Sequence, residues 1–497
     1  EPGFGPAWSY RGRVKVLLGD DEAAGLDLDE GCSRSPEFAI VWYLRGLYYV
    51  EKYASTRSLP GFDTGSTGVV FEELAPEGDR EREWKKRGLA DLDRMSQVAK
   101  SDALIAEPHA RIGRAMAILA TGGEKAWEEA LAALEGLPGP EATRLRGIAL
   151  QHLRRFEESA KAMAEALREW SEDGETWLGK GDAETAWALS IEAEGDDGRA
   201  AIRAAIASYG EAIAREYELA DSYYNRGLGY LYLADMEEIR GVDPRASLKR
   251  CIEDSTAALG RDPEVAETWL NRGTAHFSVG EWTLRNGEDA REWYEKAIAD
   301  DDEAVKRSSG DASGYSNRGN AYMGLGQATG MAGGDPRDCF RRAIEQFELA
   351  LRLDASRAST HSNLGSALFT LGEEEAARGE DASATIGRSI AQYDEAIRLD
   401  PELATAYFNR GSARVELAKA EARRQEDLRE TCRKAIADFG ETISRQPANA
   451  EAYNFRALAR YYVGCVEEAV GDDPAGSYGK AEEDAKRAIQ GGSRTAR

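Results

Sequence analysis

The feature that most constrains this chain is a pattern that returns every 46 residues through its second half. A glycine recurs at this spacing and gives way to alanine in the last copy: Gly181, Gly227, Gly273, Gly319, Gly365, Gly411 and Ala457. Four residues before each of them stands a ring: Trp177, Tyr223, Trp269, Tyr315, His361, Tyr407 and Tyr453. A fixed period of this length indicates an array of repeated structural units rather than one compact core.

The second half of each unit has columns of its own. Small residues fill two of them, seven positions apart: Ala205, Cys251, Ala297, Ala343, Ser389, Ala435 and Ala481, then Ala212, Ala258, Ala304, Ala350, Ala396, Thr442 and Ala488. Between them lies a column that is aromatic in four units: Tyr209, Phe347, Tyr393 and Phe439. Offsets of four and three place these columns on one helix face. Each unit is therefore predicted to be a pair of helices, neither of which can bury its apolar stripe alone.

Upstream, the spacing of the glycines shortens to 34 residues. Gly113, Gly147 and Gly181 are 34 apart, and so are Gly12 and Gly46. Two tryptophans, Trp8 and Trp42, stand four residues before the glycines of the first two units. The helix-pair pattern therefore extends to the start of the chain.

A 34-residue helix pair with this order of ring, glycine, small residues and proline resembles the tetratricopeptide repeat. The residues that match the family are Trp8, Gly12, Ala24 and Pro36 in the first unit and Gly147, Phe156, Met163 and Ala166 in the fourth. The resemblance covers nearly the whole chain, as about eleven units. It implies an all-α, right-handed superhelical solenoid of helix-turn-helix repeats whose first helices line a continuous concave surface.

One column departs from the family pattern, which usually has leucine just before the glycine. This chain has a cation there, and we call these residues the cation column: Arg11, Arg45, Arg146, Lys180, Arg226, Arg272, Arg318 and Arg410. We expect each aliphatic stem to be packed and each charged head to be solvated or paired.

The spacing also predicts how the chain is divided. Residues 1–105 hold two N-terminal repeats with an inserted loop at about 55–79, and residues 106–173 hold two 34-residue repeats. Residues 174–491 hold seven repeats of 46-residue period, and residues 492–497 form a tail.

The longer units have 12 additional residues between their two sets of columns. Residues 235–240 and 373–378 have helix-forming composition, so we expect the first helix to continue for about two more turns. A turn follows, in which aspartate recurs: Asp197, Asp243, Asp289, Asp335, Asp381, Asp427 and Asp473. These carboxylates are predicted to cap the next helix rather than to bind cations, because each turn offers only one or two of them.

Composition excludes several classes of function. The chain has 64 Lys and Arg against 90 Asp and Glu, a net charge of −26, which opposes binding to nucleic acid and favours basic partners. No apolar run approaches the roughly 20 residues that a membrane helix needs. Five scattered cysteines fit a reducing, cytoplasmic compartment, and the four histidines are not spaced as zinc ligands.

Two local motifs resemble catalytic or cofactor loops. Residues 63–65 spell the Asp-Thr-Gly of an aspartic protease, but that chemistry needs two such aspartates and the chain has one copy. Residues 174–181 nearly spell a phosphate loop, but Gly181 stands where the motif requires Ser or Thr, and no strand precedes it. We therefore predict no catalytic, cofactor or metal site, and no enzymatic activity.

An asparagine column lies two residues before the glycines: Asn225, Asn271, Asn317, Asn363 and Asn409. In some tetratricopeptide modules an asparagine here joins lysine and arginine to clamp a peptide carboxylate, but those cations are missing. The asparagines either bond to neighbouring backbone or contact a ligand. The predicted groove residues are Tyr224, Asn225, Leu270, Asn271, Asn317, Asn320, Asn363, Phe408 and Asn409.

The function that follows is a non-enzymatic scaffold that binds a peptide segment or a partner domain in the concave groove. The Asn-Arg-Gly helices also resemble repeat tracts attached to bacterial Ser/Thr kinases, so the alternative is a regulatory or recruiting arm of a larger enzyme. A third hypothesis is self-assembly. The chain lacks an initiating Met and starts one turn before Trp8, so we expect a fragment cut at repeat boundaries.

Overall fold

The computed structural model describes residues 5–17, 21–36, 39–55, 62–63, 70–71, 79–98, 111–116, 118–119 and 123–492. They fall into two compact units, unit 1 (Glu1–Val242) and unit 2 (Asp243–Arg497). Within the described residues nearly all regular structure is α-helical, and consecutive helices of each unit pack on one another. The predicted all-α array of helix pairs is confirmed.

The described helices of unit 1 form five pairs and one further first helix. Its helices are α1 (Gly5–Leu17), α2 (Asp21–Arg34), α3 (Ala39–Ser55), α4 (Asp79–Val98), α5 (111–116 and 118–119), α6 (Glu124–Leu134), α7 (Pro140–His152), α8 (Phe156–Ala166), α9 (Gly174–Ala193), α10 (Arg199–Ala214) and α11 (Leu219–Ile239).

A small hairpin lies in the predicted inserted loop between α3 and α4. Its strands are β1 (Phe62–Asp63) and β2 (Val70–Phe71), which pair antiparallel, Phe62 opposite Phe71. The remaining residues of the predicted loop lie outside the described part of the chain, and so do most of the protease-like residues 63–65.

Unit 2 repeats one helix pair with little variation. Its helices are α12 (Arg245–Leu259), α13 (Ala266–Arg285), α14 (Arg291–Arg307), α15 (Ala312–Met331), α16 (Arg337–Leu353), α17 (Ala358–Ala377), α18 (Ser383–Leu399), α19 (Ala404–Arg423), α20 (Arg429–Arg445), α21 (Ala450–Val470) and α22 (Ala475–Gln490). The first helices of the pairs, α13, α15, α17, α19 and α21, start 46 residues apart.

Four pairs of the chain are closed by a glycine of the first helix that faces a ring of the second. A Cβ on Gly319 would lie 2.6 Å from the Phe347 ring, and a Cβ on Gly365 would lie 2.7 Å from the Tyr393 ring. Both rings are buried. The glycine column is therefore required by close approach of the two helices, because any larger side chain would collide with the ring.

The turn between the two helices of a pair has the expected aspartate, although the aspartate is not at the N-cap position itself. Each aspartate stands one residue before the N-cap and accepts the backbone N–H two residues on, at 3.0 to 3.2 Å. In five turns an arginine at that second residue also pairs with the aspartate. This pairing holds the pKa of Asp289 at about 2, mainly through the Arg291 hydrogen bonds. The aspartate of each turn therefore caps the second helix.

One turn carries a strained backbone. A glycine at positive φ stands two residues before the aspartate in the other turns, as at Gly379 (φ 79°), whereas Gln425 holds this place with φ 60°. A left-handed conformation costs a residue with a Cβ about 1–2 kcal/mol.

Replacement of this glutamine by glycine should stabilise unit 2. We expect Gln425→Gly to raise the free energy of unfolding by about 1 kcal/mol, measured by urea denaturation. The reverse change in the equivalent turn, Gly379→Gln, should lower it by a similar amount. Equal stability of both variants and the parent would contradict the strain.

A carboxylate replaces the ring in one core position of unit 2. Asp301 of α14 occupies the aromatic column, is 1% exposed, and has an Oδ1 atom without a hydrogen-bond partner among the described residues. Its Oδ1 lies 2.8 Å from where a Cβ on Gly273 would stand. Burial and the neighbouring Asp300 raise the pKa of Asp301 well above its usual value.

This buried acid should make unit 2 less stable as the pH rises. The folded state keeps the proton while the unfolded chain ionises above about pH 4, so ionisation favours unfolding at neutral pH. Asp301→Asn should raise the denaturation midpoint at pH 8 and change it much less at pH 4. The exposed control Asp338→Asn should change neither, and an equal effect of Asp301→Asn at both pH values would refute the assignment.

Candidate functional site

The cation column pairs with a column of acceptors on the second helix. In unit 2, Arg410 donates to Asp438 Oδ1 at 2.6 Å, and Asp438 is 2% exposed. The guanidinium of Arg410 also lies 5.5 Å from the centroid of the Tyr407 ring on its own helix. Each cation thereby contacts the ring of its own helix and binds an acceptor on the second helix.

The same arrangement recurs along both units. Cations of this column, and Arg456 one 46-residue step after Arg410, bond to acceptors of the second helix at 2.6 to 2.9 Å in Arg11–Asp27, Arg45–Asp91, Lys180–Ser208, Arg272–Asp300, Arg318–Gln346 and Arg456–Asp484. The expectation of a paired head is confirmed at these positions. The sequence analysis missed the acceptors, although they keep the 46-residue period: Ser208, Asp254, Asp300, Gln346, Gln392, Asp438 and Asp484.

A double-mutant cycle on one such pair measures this coupling. Arg410→Leu should cost about 2 kcal/mol in urea denaturation because the buried Asp438 carboxylate keeps only Arg414 as a cationic partner, whereas Arg410→Leu with Asp438→Leu should cost less than the sum of the two single changes. The exposed pair Arg398–Glu395 provides the control, and Arg398→Leu should cost less than 1 kcal/mol. Additive costs at Arg410 and Asp438 would contradict the pairing.

The asparagine column joins consecutive first helices. Asn363 of α17 donates to Asn320 Oδ1 of α15 at 3.0 Å, and Asn225 of α11 donates to Asp182 of α9 at 3.3 Å. Asn409 of α19 makes a longer contact, 3.5 Å, with Ser366 Oγ of α17. The partners are side chains of the preceding first helix. The sequence analysis had instead considered neighbouring backbone groups.

We call Asn317, Asn320, Asn363, Ser366 and Asn409 the asparagine face of unit 2. All five side chains are half-buried. Within the described part of the chain, the Asn320 Nδ2 group and the Asn363 Oδ1 atom make no hydrogen bond. The pair therefore presents one donor group and one acceptor atom whose orientations are fixed by the bond between the two amides.

The other predicted groove residues serve packing in part. Phe408 stacks edge-on against Phe439 and Phe455, with centroids 5.8 and 5.6 Å away. Leu270 lies 3.7 Å from where a Cβ on Gly314 would stand, and Asn271 has an enclosed Nδ2 without a partner among the described residues. Tyr224 is half-buried on α11 in unit 1.

Charge beside the asparagine face is mostly negative. Glu373 of α17 follows the face by helical spacing, and Glu416 of α19 lies close enough to raise the pKa of Glu373, although burial has the larger effect. Lys419 pairs with Glu416 at 2.5 Å. Two carboxylates against one paired cation leave this end of the face acidic.

In unit 1 the position equivalent to Asn320 is occupied by an aspartate, Asp182. Asp182 accepts from the Tyr209 hydroxyl at 2.9 Å and from Asn225. Removal from water raises the pKa of the Asp182 carboxyl to about 6, while the Tyr209 hydrogen bond acts in the opposite direction. This group is thus structural and partly protonated near pH 6.

The residues that resemble a phosphate loop lie in a helix, and the side chain of their lysine is bonded to other residues of the chain. Residues 174–181 open α9, and Lys180 Nζ lies 2.7 Å from Glu184 Oε1 and 2.8 Å from Ser208 Oγ. Ser208 is 1% exposed, so its hydroxyl is closed to a substrate. Across the described ranges, no group of three or more His, Cys, Asp or Glu is arranged to hold a metal ion.

Comparison with known proteins identifies the repeat. Residues 386–417, the body of α18, the turn and most of α19, match the family model of the TPR repeat. The matched segment is a TPR repeat. The match spans a second helix and the following first helix, so it leaves out the 12-residue extension, and the lengthened 46-residue variant stays a prediction.

Solved structures with related architecture are distant. YrrB, a tetratricopeptide-repeat protein with an unusual peptide-binding site, is 20% identical over 49% of this chain and 96% of its own, with a TM-score of 0.33. A tetratricopeptide-repeat protein from Parabacteroides merdae is 13% identical over 64% and 98%, with a TM-score of 0.40. MamA is 21% identical over 44% and 96%, with a TM-score of 0.29. No curated protein matches.

None of the helices in the described part of the chain combines the length and the apolar character needed to cross a membrane.

Proposed function

We propose that this chain is a non-enzymatic scaffold that binds an extended segment of a protein partner on the asparagine face. The observation that carries the proposal is the bonded amide pair Asn320–Asn363, which leaves one donor group and one acceptor atom without a partner among the described residues. An extended peptide backbone offers the complementary acceptor and donor at each residue. Asn317 and Asn409 extend the same recognition to both sides.

The spacing of the helices suits an extended segment. Neighbouring packed helices lie about 8–10 Å apart, and an extended chain advances about 3.3 Å per residue, so successive asparagine positions fall near every third residue of the ligand. Backbone recognition at that interval leaves the intervening ligand side chains free. Affinity then depends on conformation more than on one exact sequence.

The charges supply the preference for a basic partner. Glu373 and Glu416 lie beyond the asparagine face, where Lys419 pairs with Glu416. A lysine or arginine of the ligand placed there could pair with Glu373, which makes no ion pair within the described residues, and the net charge of −26 would steer basic segments toward the chain. The same charge disfavours nucleic acid. The scattered cysteines support a cytoplasmic location.

A second candidate keeps this face and makes the chain the recruiting arm of a larger enzyme, such as a bacterial Ser/Thr kinase. The observation that favours it is the recurring Asn-Arg-Gly at 225–227, 271–273, 317–319 and 409–411. The sequence of the parent protein tests it, since a catalytic domain beside this chain would support it and an unbroken repeat protein would not.

Substitution of the amide pair tests the binding face. A panel of fluorescent 12-residue peptides, basic, neutral and acidic, is titrated against the chain, and the tightest binder is carried forward. Asn320→Ala with Asn363→Ala should weaken that binder about tenfold, because two hydrogen bonds at about 0.7–1 kcal/mol each are lost.

The matched control is Lys434→Ala with Glu430→Ala, an exposed pair on the second helix α20. It should leave the affinity unchanged, and both double variants should keep their circular-dichroism spectra. Unchanged affinity in the asparagine variant, or tighter binding of acidic than of basic peptides, would contradict the proposal.

A further inference from the structure

One member of the cation column, Arg146 of α7, lacks the acceptors that its counterparts use. Those counterparts bind an acceptor on the second helix of their own pair, and several also reach the second helix of the preceding pair, as Arg410 does with Asp394 at 2.6 Å. In the 34-residue unit of Arg146 the two equivalent positions lie 16 residues before and 16 residues after it, and both are alanine: Ala130 and Ala162. The sequence thus gives this arginine no acceptor at either position.

The structure shows the same lack of partners. The guanidinium of the half-buried Arg146 makes one hydrogen bond among the described residues, from Nη2 to Thr143 Oγ1 of its own helix at 2.8 Å. No carboxylate of that part of the chain lies within ion-pair distance of it. A guanidinium has five N–H donors, so most of those on Arg146 stay available to an anionic group of a ligand.

Arg146 lines a cavity of about 620 Å³ between α6, α7 and the start of α8. The α6 side of this cavity carries three glutamates: Glu124, Glu128 and Glu135. None of these glutamates forms an ion pair within the described residues. The second arginine of the lining, Arg155, is already paired with Glu158 at 2.6 Å, and the remaining lining is aliphatic. The unpaired charges of the cavity are therefore three carboxylates and one guanidinium.

A ligand that compensates these charges has one anionic group and at least two cationic groups. An amino acid with a basic side chain carries this set: its carboxylate suits Arg146, and its α-ammonium and side-chain cation suit the glutamates. We propose that this cavity binds a free basic amino acid, arginine or lysine. Its volume is in the range of about 300–1,000 Å³ that small-molecule sites have. The cavity lies in unit 1 and the asparagine face in unit 2, so the two sites are tested independently.

Calorimetric titration of the full chain with free L-arginine and three analogues tests the ligand class. Arginine should bind, whereas argininamide, which lacks the carboxylate, and citrulline, which lacks the side-chain cation, should bind about tenfold more weakly or worse. Nα-acetylarginine resembles the last residue of a peptide, because it has lost its α-ammonium, and it should also bind more weakly. No binding of arginine at up to about 10 mM, or equal affinity for arginine and any of the three analogues, would overturn the proposal.

Arg146→Leu tests the assigned residue, since leucine is the usual residue of the tetratricopeptide repeat at this position. The variant should bind arginine about tenfold more weakly and keep the urea midpoint of the parent, because Arg146 has no acceptor on a second helix. The matched control is Lys161→Leu on α8, a side chain 71% exposed and paired with Glu157, which should leave the affinity unchanged. Unchanged affinity in Arg146→Leu, or equal losses of affinity in both variants, would overturn the proposal.

Discussion

In the pairs whose second helix carries a ring in the aromatic column, the contact of a glycine with that ring sets the distance between the two helices, and the other interactions of those pairs depend on that distance. Where the ring is Phe347 or Tyr393, it lies against the bare backbone of Gly319 or Gly365. Only at this separation can an arginine of the first helix both cover its own ring and reach the acceptor of the second helix, as Arg410 does with Asp438.

The pairs then stack through a second set of residues on the second helix. Isoleucines such as Ile344 supply the apolar part of that contact, and amides such as Asn363 and Asn320 join the first helices along one face. The asparagines thus lie on the first helices, and the isoleucines lie on the second helices.

Much of this arrangement could be predicted from the 46-residue period. Columns of glycine, ring and small residues predicted helix pairs, and the lengthened first helices and capping aspartates followed from composition. The acceptor column was missed because its members, Ser, Asp and Gln, share a hydrogen-bonding role rather than a residue class. The asparagine bonds could not be predicted, since the partner of Asn363 is 43 residues away on another first helix and depends on how the pairs stack.

Two glycine substitutions in neighbouring helices test the central contact most directly, with urea denaturation of unit 2 as the measurement. Gly365→Ala should lower the free energy of unfolding by about 1–3 kcal/mol, because the new methyl group meets the Tyr393 ring. Gly387→Ala, in the interior of α18 with open space around it, should raise that free energy by about 0.5–1 kcal/mol. A stabilising or neutral Gly365→Ala would contradict the account.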